Sequence, residues 1–177
     1  MEKIEIRRVT HDDIPTLQEI GRQTFSETFS AVNTDENMTK YLSQRFSTEK
    51  LNDEVSNENS EFYFASARDR VIGYLKINTG NAQTELQDHK ALEIERIYIL
   101  QEFQRKKVGQ MLYEKALNIA RGKKAGFIWL GVWEHNLKAQ NFYRKNGFKE
   151  FDRHIFVLGD SRQTDYMMKL ELPTSTE

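Results

Sequence analysis

The stretch that most limits how this chain can fold runs from residue 92 to residue 148. Leu92-Glu93-Ile94-Glu95-Arg96-Ile97-Tyr98-Ile99 is rich in β-branched and aromatic residues and has the character of a buried strand. Gln104-Arg105-Lys106-Lys107-Val108-Gly109 then opens a helix, along which Val108, Leu112, Ala116, Ile119 and Ala120 share one face. Gly126 precedes a second apolar run, Phe127-Ile128-Trp129-Leu130-Gly131-Val132-Trp133, and a last helix starts near Asn136 and passes Tyr143 before Gly147-Phe148. A strand-helix-strand unit makes its two strands parallel if they share a sheet. A ligand is then expected beyond their carboxyl ends. The helix start carries unpaired backbone N–H groups and Arg105, Lys106 and Lys107, which suits a phosphate or pyrophosphate.

Elements flank this unit on both sides. Lys3 to Val9 alternates around Ile4 and Ile6 and predicts a first strand. Thr10, Asp12, Asp13 and Pro15 mark a helix start, with Ile14, Leu17 and Gly21 facing inward. Residues 24 to 46 predict a second helical stretch, interrupted near Asn33-Thr34-Asp35, and Ser47 caps a short third helix ending near Val55. Glu61 to Ala67 and Val71 to Asn78 form a hairpin around Arg68-Asp69-Arg70. Residues 79 to 90 are polar and aperiodic, which predicts a loop. Phe148 to Phe156 and Asp165 to Leu172 are two further strands joined around Leu158-Gly159-Asp160. The pattern is that of one mixed α/β domain over residues 1–172, with a disordered tail at 173–177.

Composition narrows the function. A length of 177 residues suits one domain with a sizeable core, and 30% charged against 38% apolar residues suits a soluble globular chain. A net charge of −1 argues against a nucleic-acid partner, which needs a basic face. No apolar run approaches the ~20 residues of a membrane span, and the N-terminus is too polar for a signal peptide, so the expected location is the cytoplasm. The absence of cysteine removes disulfides, thiolate metal sites and a cysteine nucleophile together. His11, His89, His135 and His154 share no ligand spacing, so no metal is expected. No Gly-x-Ser-x-Gly is present to suggest a serine hydrolase.

With these residues in view, the chain resembles the GCN5-related N-acetyltransferases over roughly residues 4 to 172. The resemblance is carried by Glu95-Arg96-Ile97-Tyr98-Ile99, the Gln104 to Gly109 loop, and Asn136 with Phe142-Tyr143 and Asn146-Gly147-Phe148. Within that family it is most similar to the PaiA-type spermidine/spermine N-acetyltransferases, through Thr24-Phe25-Ser26-Glu27-Thr28-Phe29, Glu36-Asn37-Met38, Leu92 to Ile99, and Trp129 to Glu134. The resemblance implies an α/β fold with a central mixed, mostly antiparallel sheet and a splayed parallel strand pair, flanked by helices. It also implies acetyl-CoA as cosubstrate, transfer to a primary amine, no metal, and a possible homodimer.

By the same resemblance, the backbone of Ile97, Tyr98 and Ile99 pairs with the pantetheine arm and the acetyl carbonyl. Gln104, Arg105, Lys106, Lys107, Val108, Gly109 and Gln110 receive the pyrophosphate, with Asn136, Tyr143 and Lys145 also at the cofactor. The family pattern places glycine where Lys107 stands; if that position needs positive φ, lysine costs roughly 1 kcal/mol or more. Tyr143 matches the general acid, since a phenol with a pKa near ~10 stays protonated at neutral pH. Glu93 and Glu95, two apart on a strand, are expected on one face, and both are candidates for the base. Glu95 is favoured because it matches the acid of polyamine acetyltransferases, and because Arg96 is expected to point away from it. A polycationic acceptor needs an acidic groove, for which Glu27, Asp35, Glu36, Glu95 and Glu134 are the candidates, with Trp133 as a wall that can contact a cation. The alternatives are a protein, peptide or other small amine as acceptor, or a catalytically silent acetyl-CoA-binding regulator. Direct gene regulation is disfavoured, since no basic recognition helix is present.

Overall fold

The computed structural model describes residues 2–173 and forms one seven-stranded sheet with helices against it. In chain order the elements are β1 (Ile4–Arg8), α1 (Ile14–Phe29), α2 (Asp35–Arg45), α3 (Thr48–Ser56), β2 (Ser60–Ala67), β3 (Arg70–Asn78), β4 (Ala91–Ile99), α4 (Val108–Gly122), β5 (Phe127–Trp133), α5 (Leu137–Lys145), β6 (Lys149–Leu158) and β7 (Ser161–Glu171). The sheet order is β1-β2-β3-β4-β5-β7-β6. Only β4 and β5 are parallel, because α4 must cross over between them. The expected disordered tail lies outside the described residues from position 174 onward.

Local chemistry explains most boundaries. Thr10 and Asp13 form a capping box, the Thr10 N–H donating to the Asp13 carboxylate at 2.9 Å, and Pro15 sits in the first turn of α1. The Ser47 hydroxyl accepts from the Lys50 N–H and starts α3; Thr34 accepts from Asn37 and starts α2. The second helical stretch does not begin at 24, because α1 continues to Phe29. The stripe Ile14, Leu17, Gly21 extends at helical spacing to Phe25 and Phe29, so burial keeps the helix going. The break falls at 30–34.

Two features of the sheet shape the site. The β4–β5 ladder contains only Ala91–Phe127, Leu92–Ile128 and Glu93–Trp129, after which the strands part. A β-bulge also interrupts β4 against β3: Lys76 pairs with Arg96 and Ile77 with Ile94, leaving Glu95 as the extra residue. The segment 79–90 is a loop, as its composition predicts, but it is pinned. Buried Gln83 accepts from the Trp129 indole at 2.7 Å and donates to the Asp88 carbonyl at 2.9 Å, while Glu93 accepts from the Thr84 N–H at 2.9 Å.

Candidate active site

Where β4 and β5 diverge, a cleft of about 260 Å³ opens, lined on the β4 side from Glu93 to Tyr98 and on the β5 side by Trp129 and Gly131 to Trp133. From Ile94 on, the edge of β4 that faces β5 has no strand partner, so its backbone groups are available to a ligand. Asn136, Ala139 and Tyr143 close one end from α5. Phe25, Phe29, Tyr41 and Phe46 reach in from the helices. An aromatic wall continues from Phe29 to Trp133 at 5.1 Å and from Tyr41 to Phe156 at 5.9 Å between ring centroids.

The turn ahead of α4 presents free backbone amides. Arg105 and Lys107 both adopt left-handed backbone, with φ of 65° and 64°. Lys107 is the N-cap residue, so the family's glycine stands replaced at a position that does need positive φ. No side chain caps α4, which leaves its first N–H groups for a ligand. Left-handed residues of this kind gather successive amides into an anion-binding concavity. Val108 is buried, and a Cβ at Gly109 would stand 3.1 Å from Ile99, so the loop lies tight against the end of β4. Gln104 donates to the Ile99 carbonyl at 3.4 Å, and Gln110 bonds Asn146 at 3.2 Å, joining α4 to α5. Lys145 is exposed in the last turn of α5. Asn136 caps α5 through the Ala139 N–H at 3.2 Å and also lines the cleft. These residues fit a pyrophosphate-bearing thioester lying along the free edge of β4.

Tyr143 is 5% exposed, with its ring 5.5 Å from Phe148 and 5.4 Å from Phe142. Burial alone pushes its phenol above the usual tyrosine range, so it stays protonated.

The two strand acids have different surroundings. Glu93 is 2% exposed, and its carboxylate accepts from the Asn78 amide at 2.9 Å as well as from the Thr84 backbone and hydroxyl. Burial raises its pKa against those donors. Glu95 instead joins a buried ion cluster with Lys76 at 2.5 Å, Arg45 at 3.1 Å and Arg96 at 3.7 Å, and Lys76 and Arg96 also meet Glu54. Burial opposes its charge, but the Arg96, Lys76 and Arg45 cations outweigh burial and hold its carboxyl at about 2. Arg96 therefore does not point away from Glu95. The bulge breaks the alternation, and the pairing of Arg96 with Lys76 brings both cations to the Glu95 side.

The predicted acidic groove is placed differently. Glu27 is spent on the backbone N–H of Gln101 at 2.8 Å. Asp35 and Glu36 are exposed in the first turn of α2, where they complement the positive helix end. Glu134 follows β5, 3.5 Å from His135. None of these four is among the lining residues, whereas Trp133 and Glu95 are. The acids that do line the cleft besides Glu93 and Glu95 are Glu85 and Asp165, together with His154. Sequence reading missed them because Glu85 lies in an aperiodic loop and the other two lie on the edge hairpin. No group of His, Cys, Asp or Glu among the described residues can hold a metal ion, and no described helix is long and apolar enough to cross a membrane.

A parallel pair parts over a free strand edge, a buried phenol lines the cleft between its strands, and the uncapped start of α4 packs against the end of β4. The chain belongs to the acetyltransferase (GNAT) family, whose model matches residues 20–148. It is an N-acetyltransferase that uses acetyl-CoA. An uncharacterized N-acetyltransferase of Lactobacillus delbrueckii subsp. lactis is 42% identical over 172 residues, covering 97% of this chain and 99% of that protein. The spermidine N(1)-acetyltransferase of Thermoplasma acidophilum is 31% identical over 84% of this chain and 90% of its own. Among solved structures, the PaiA N-acetyltransferase of Thermoplasma acidophilum in complex with coenzyme A superposes with a TM-score of 0.79 at 28% identity, over 96% of this chain and 99% of that one.

Proposed function

We propose that this enzyme acetylates a primary amine of a polyamine such as spermidine or spermine. The observation that carries the reading is the lining of the acceptor side of the cleft. Outside the Glu95 ion cluster with Arg45, Arg96 and Lys76, three carboxylates, Glu85, Glu93 and Asp165, line it with His154 beside a wall of Phe25, Phe29, Tyr41, Trp133 and Phe156. An excess of negative charge in a partly desolvated cleft favours a polycation. The aromatic wall suits alkyl segments and can face ammonium groups. The similarity to a spermidine N(1)-acetyltransferase supports the same acceptor class.

When bound, acetyl-CoA supplies the activated acetyl thioester. The amides and cations from Gln104 to Gln110 hold its phosphates, with Lys145 and Asn136 alongside. Backbone groups of Ile97, Tyr98 and Ile99 orient the acyl end, and a backbone donor directed at the developing oxyanion is commonly worth ~3 kcal/mol. Tyr143 gives its phenolic proton to the departing sulfur. Glu93 is engaged by Asn78 and Thr84 and Glu95 is held in the ion cluster, and both serve to position β4 and the 79–90 loop.

The test is thiol release from acetyl-CoA against spermidine, spermine, putrescine, lysine peptides, aminoglycosides and no acceptor. Saturable release with spermidine or spermine is expected. Release with a peptide or aminoglycoside and none with polyamines would discard the polyamine reading.

A further inference from the structure

We infer that Asp165, seated against His154 on the β7–β6 wall of the cleft, is the base that takes the proton from the acceptor ammonium. The inference rests on the amine-acetylation reading and supplies the residue that reading lacks. Trp133, Asp165 and His154 are register partners across β5, β7 and β6, so their side chains stand in one row on one face. The His154 ring lies between two carboxylates, with Nε2 3.5 Å from Asp165 and Nδ1 3.4 Å from Glu85. Asp165 Oδ1 is buried and has no hydrogen-bond partner. Gly131 makes the room: a Cβ there would stand 3.2 Å from His154 Cε1 and 3.4 Å from Asp165 Oδ2.

Elimination among the lining acids points the same way. Glu95 is neutralised by three cations, and Glu93 already accepts three hydrogen bonds from Asn78 and Thr84, which tie it to the 79–90 loop. Glu85 sits with its side chain 39% exposed, against 15% for Asp165. Burial, with the Glu85 and Glu134 charges, pushes the Asp165 carboxyl up to about 6, against the pull of His154. Tyr41 from α2 and Tyr98 from β4 line the same cleft. A base works best with a pKa near the working pH, which favours about 6 over the value of about 2 held at Glu95.

The step balances without any redox partner. An N–H bond of the ammonium breaks and an O–H bond forms on Asp165, freeing the nitrogen lone pair. As the C–N bond forms and the C–S bond breaks, Tyr143 protonates the sulfur and is restored by the second proton lost from nitrogen. The proton on Asp165 passes to solvent. His154 is a positioning residue that holds the carboxylate and tunes it.

The deciding measurement is the pH profile of kcat/KM for Asp165→Asn and His154→Gln, using the panel amine that reacts fastest, with coenzyme A affinity and Tm measured alongside. Asp165→Asn is expected to lower kcat/KM at pH 7 by about 100-fold. The deficit should close toward pH 10, where the free amine forms unaided, while coenzyme A affinity stays within about threefold. His154→Gln should move the acid limb upward, since the pull of His154 that lowers the Asp165 pKa is gone. An Asp165→Asn enzyme with the wild-type acid limb, or with the same loss at every pH, overturns the inference. If that variant does not fold, an unmoved limb in His154→Gln does so. A wild-type enzyme that binds coenzyme A but acetylates no amine overturns the acceptor reading, and this inference with it.

Discussion

Tyr143 and Lys107 show how much a single residue can carry. The family resemblance singles out Tyr143 through its place between Asn136 and Gly147-Phe148, and the structure buries it in the cleft wall. Tyr143→Phe should lower kcat by about two orders of magnitude, the lower end of general-acid contributions of ~10²–10⁴, and leave coenzyme A affinity nearly unchanged. Stopped-flow thiol release with a parallel binding titration checks both. Lys107 holds φ at 64°, a conformation that costs a lysine roughly 1 kcal/mol more than a glycine. Lys107→Gly relieves that strain but loosens the unfolded chain, so the unfolding free energy from urea titration should move by less than about 1 kcal/mol. Loss of the charge should weaken coenzyme A binding several-fold at low salt, with the gap narrowing at high salt.

At the level of elements, the bulge in β4 decides the most. Alternation along an ideal strand puts Glu93 and Glu95 together and Arg96 opposite, and nothing in residues 92–99 alone announces that Glu95 is an extra residue. The register follows from which β3 residues meet β4, and the ion cluster then draws on Glu54 of α3 and Arg45 of α2. Removing one partner of a buried ion cluster commonly costs about 3–5 kcal/mol, because the remaining charges stay buried. Glu95→Gln should therefore destabilise the fold by that amount in chemical denaturation, through Lys76 and Arg96. The loop 79–90 makes the same point. Its polar composition correctly predicts irregular backbone, but its anchors, Glu93 and Trp129, lie outside it in sequence. Glu93→Ala leaves Asn78 and the Thr84 N–H unpaired, and each buried orphan costs about 1–3 kcal/mol. Hydrogen exchange should show residues 79–90 opening in that variant while α4 keeps its protection.

For the whole molecule, acid stability tests the charge cluster. Glu95 titrates at about 2 in the folded protein, against an ordinary value of 4.5 for a glutamate in an unfolded chain. Its contribution is present above the unfolded value and is lost as pH falls from about 4.5 toward 2, on the order of 3 kcal/mol. Asp165 has the opposite sign, since its folded value of about 6 lies above 3.8. It favours the folded state at low pH, and that contribution is lost as pH rises from about 4 to 6. Denaturation midpoints across pH 2–7 should fall steeply below pH 4.5, and Glu95→Gln should flatten that limb.

The sequence alone determined most elements and several of their starts, because helical and strand periodicity, the Ser47 and Asn136 caps and the capping box of Thr10 are local chemistry, whereas the end of α1 at Phe29 and the start of β7 at Ser161 follow from packing and pairing. The turn at 104–110 was legible in the same way, since it and the helix it opens are continuous in the chain. Only the tertiary structure decided what else lines the cleft. Asp165, His154, Glu85 and the charge state of Glu95 depend on strand register, on a one-residue bulge and on a loop folding across the sheet. Those pairings are set by packing between segments far apart in sequence, and no single segment's pattern contains them.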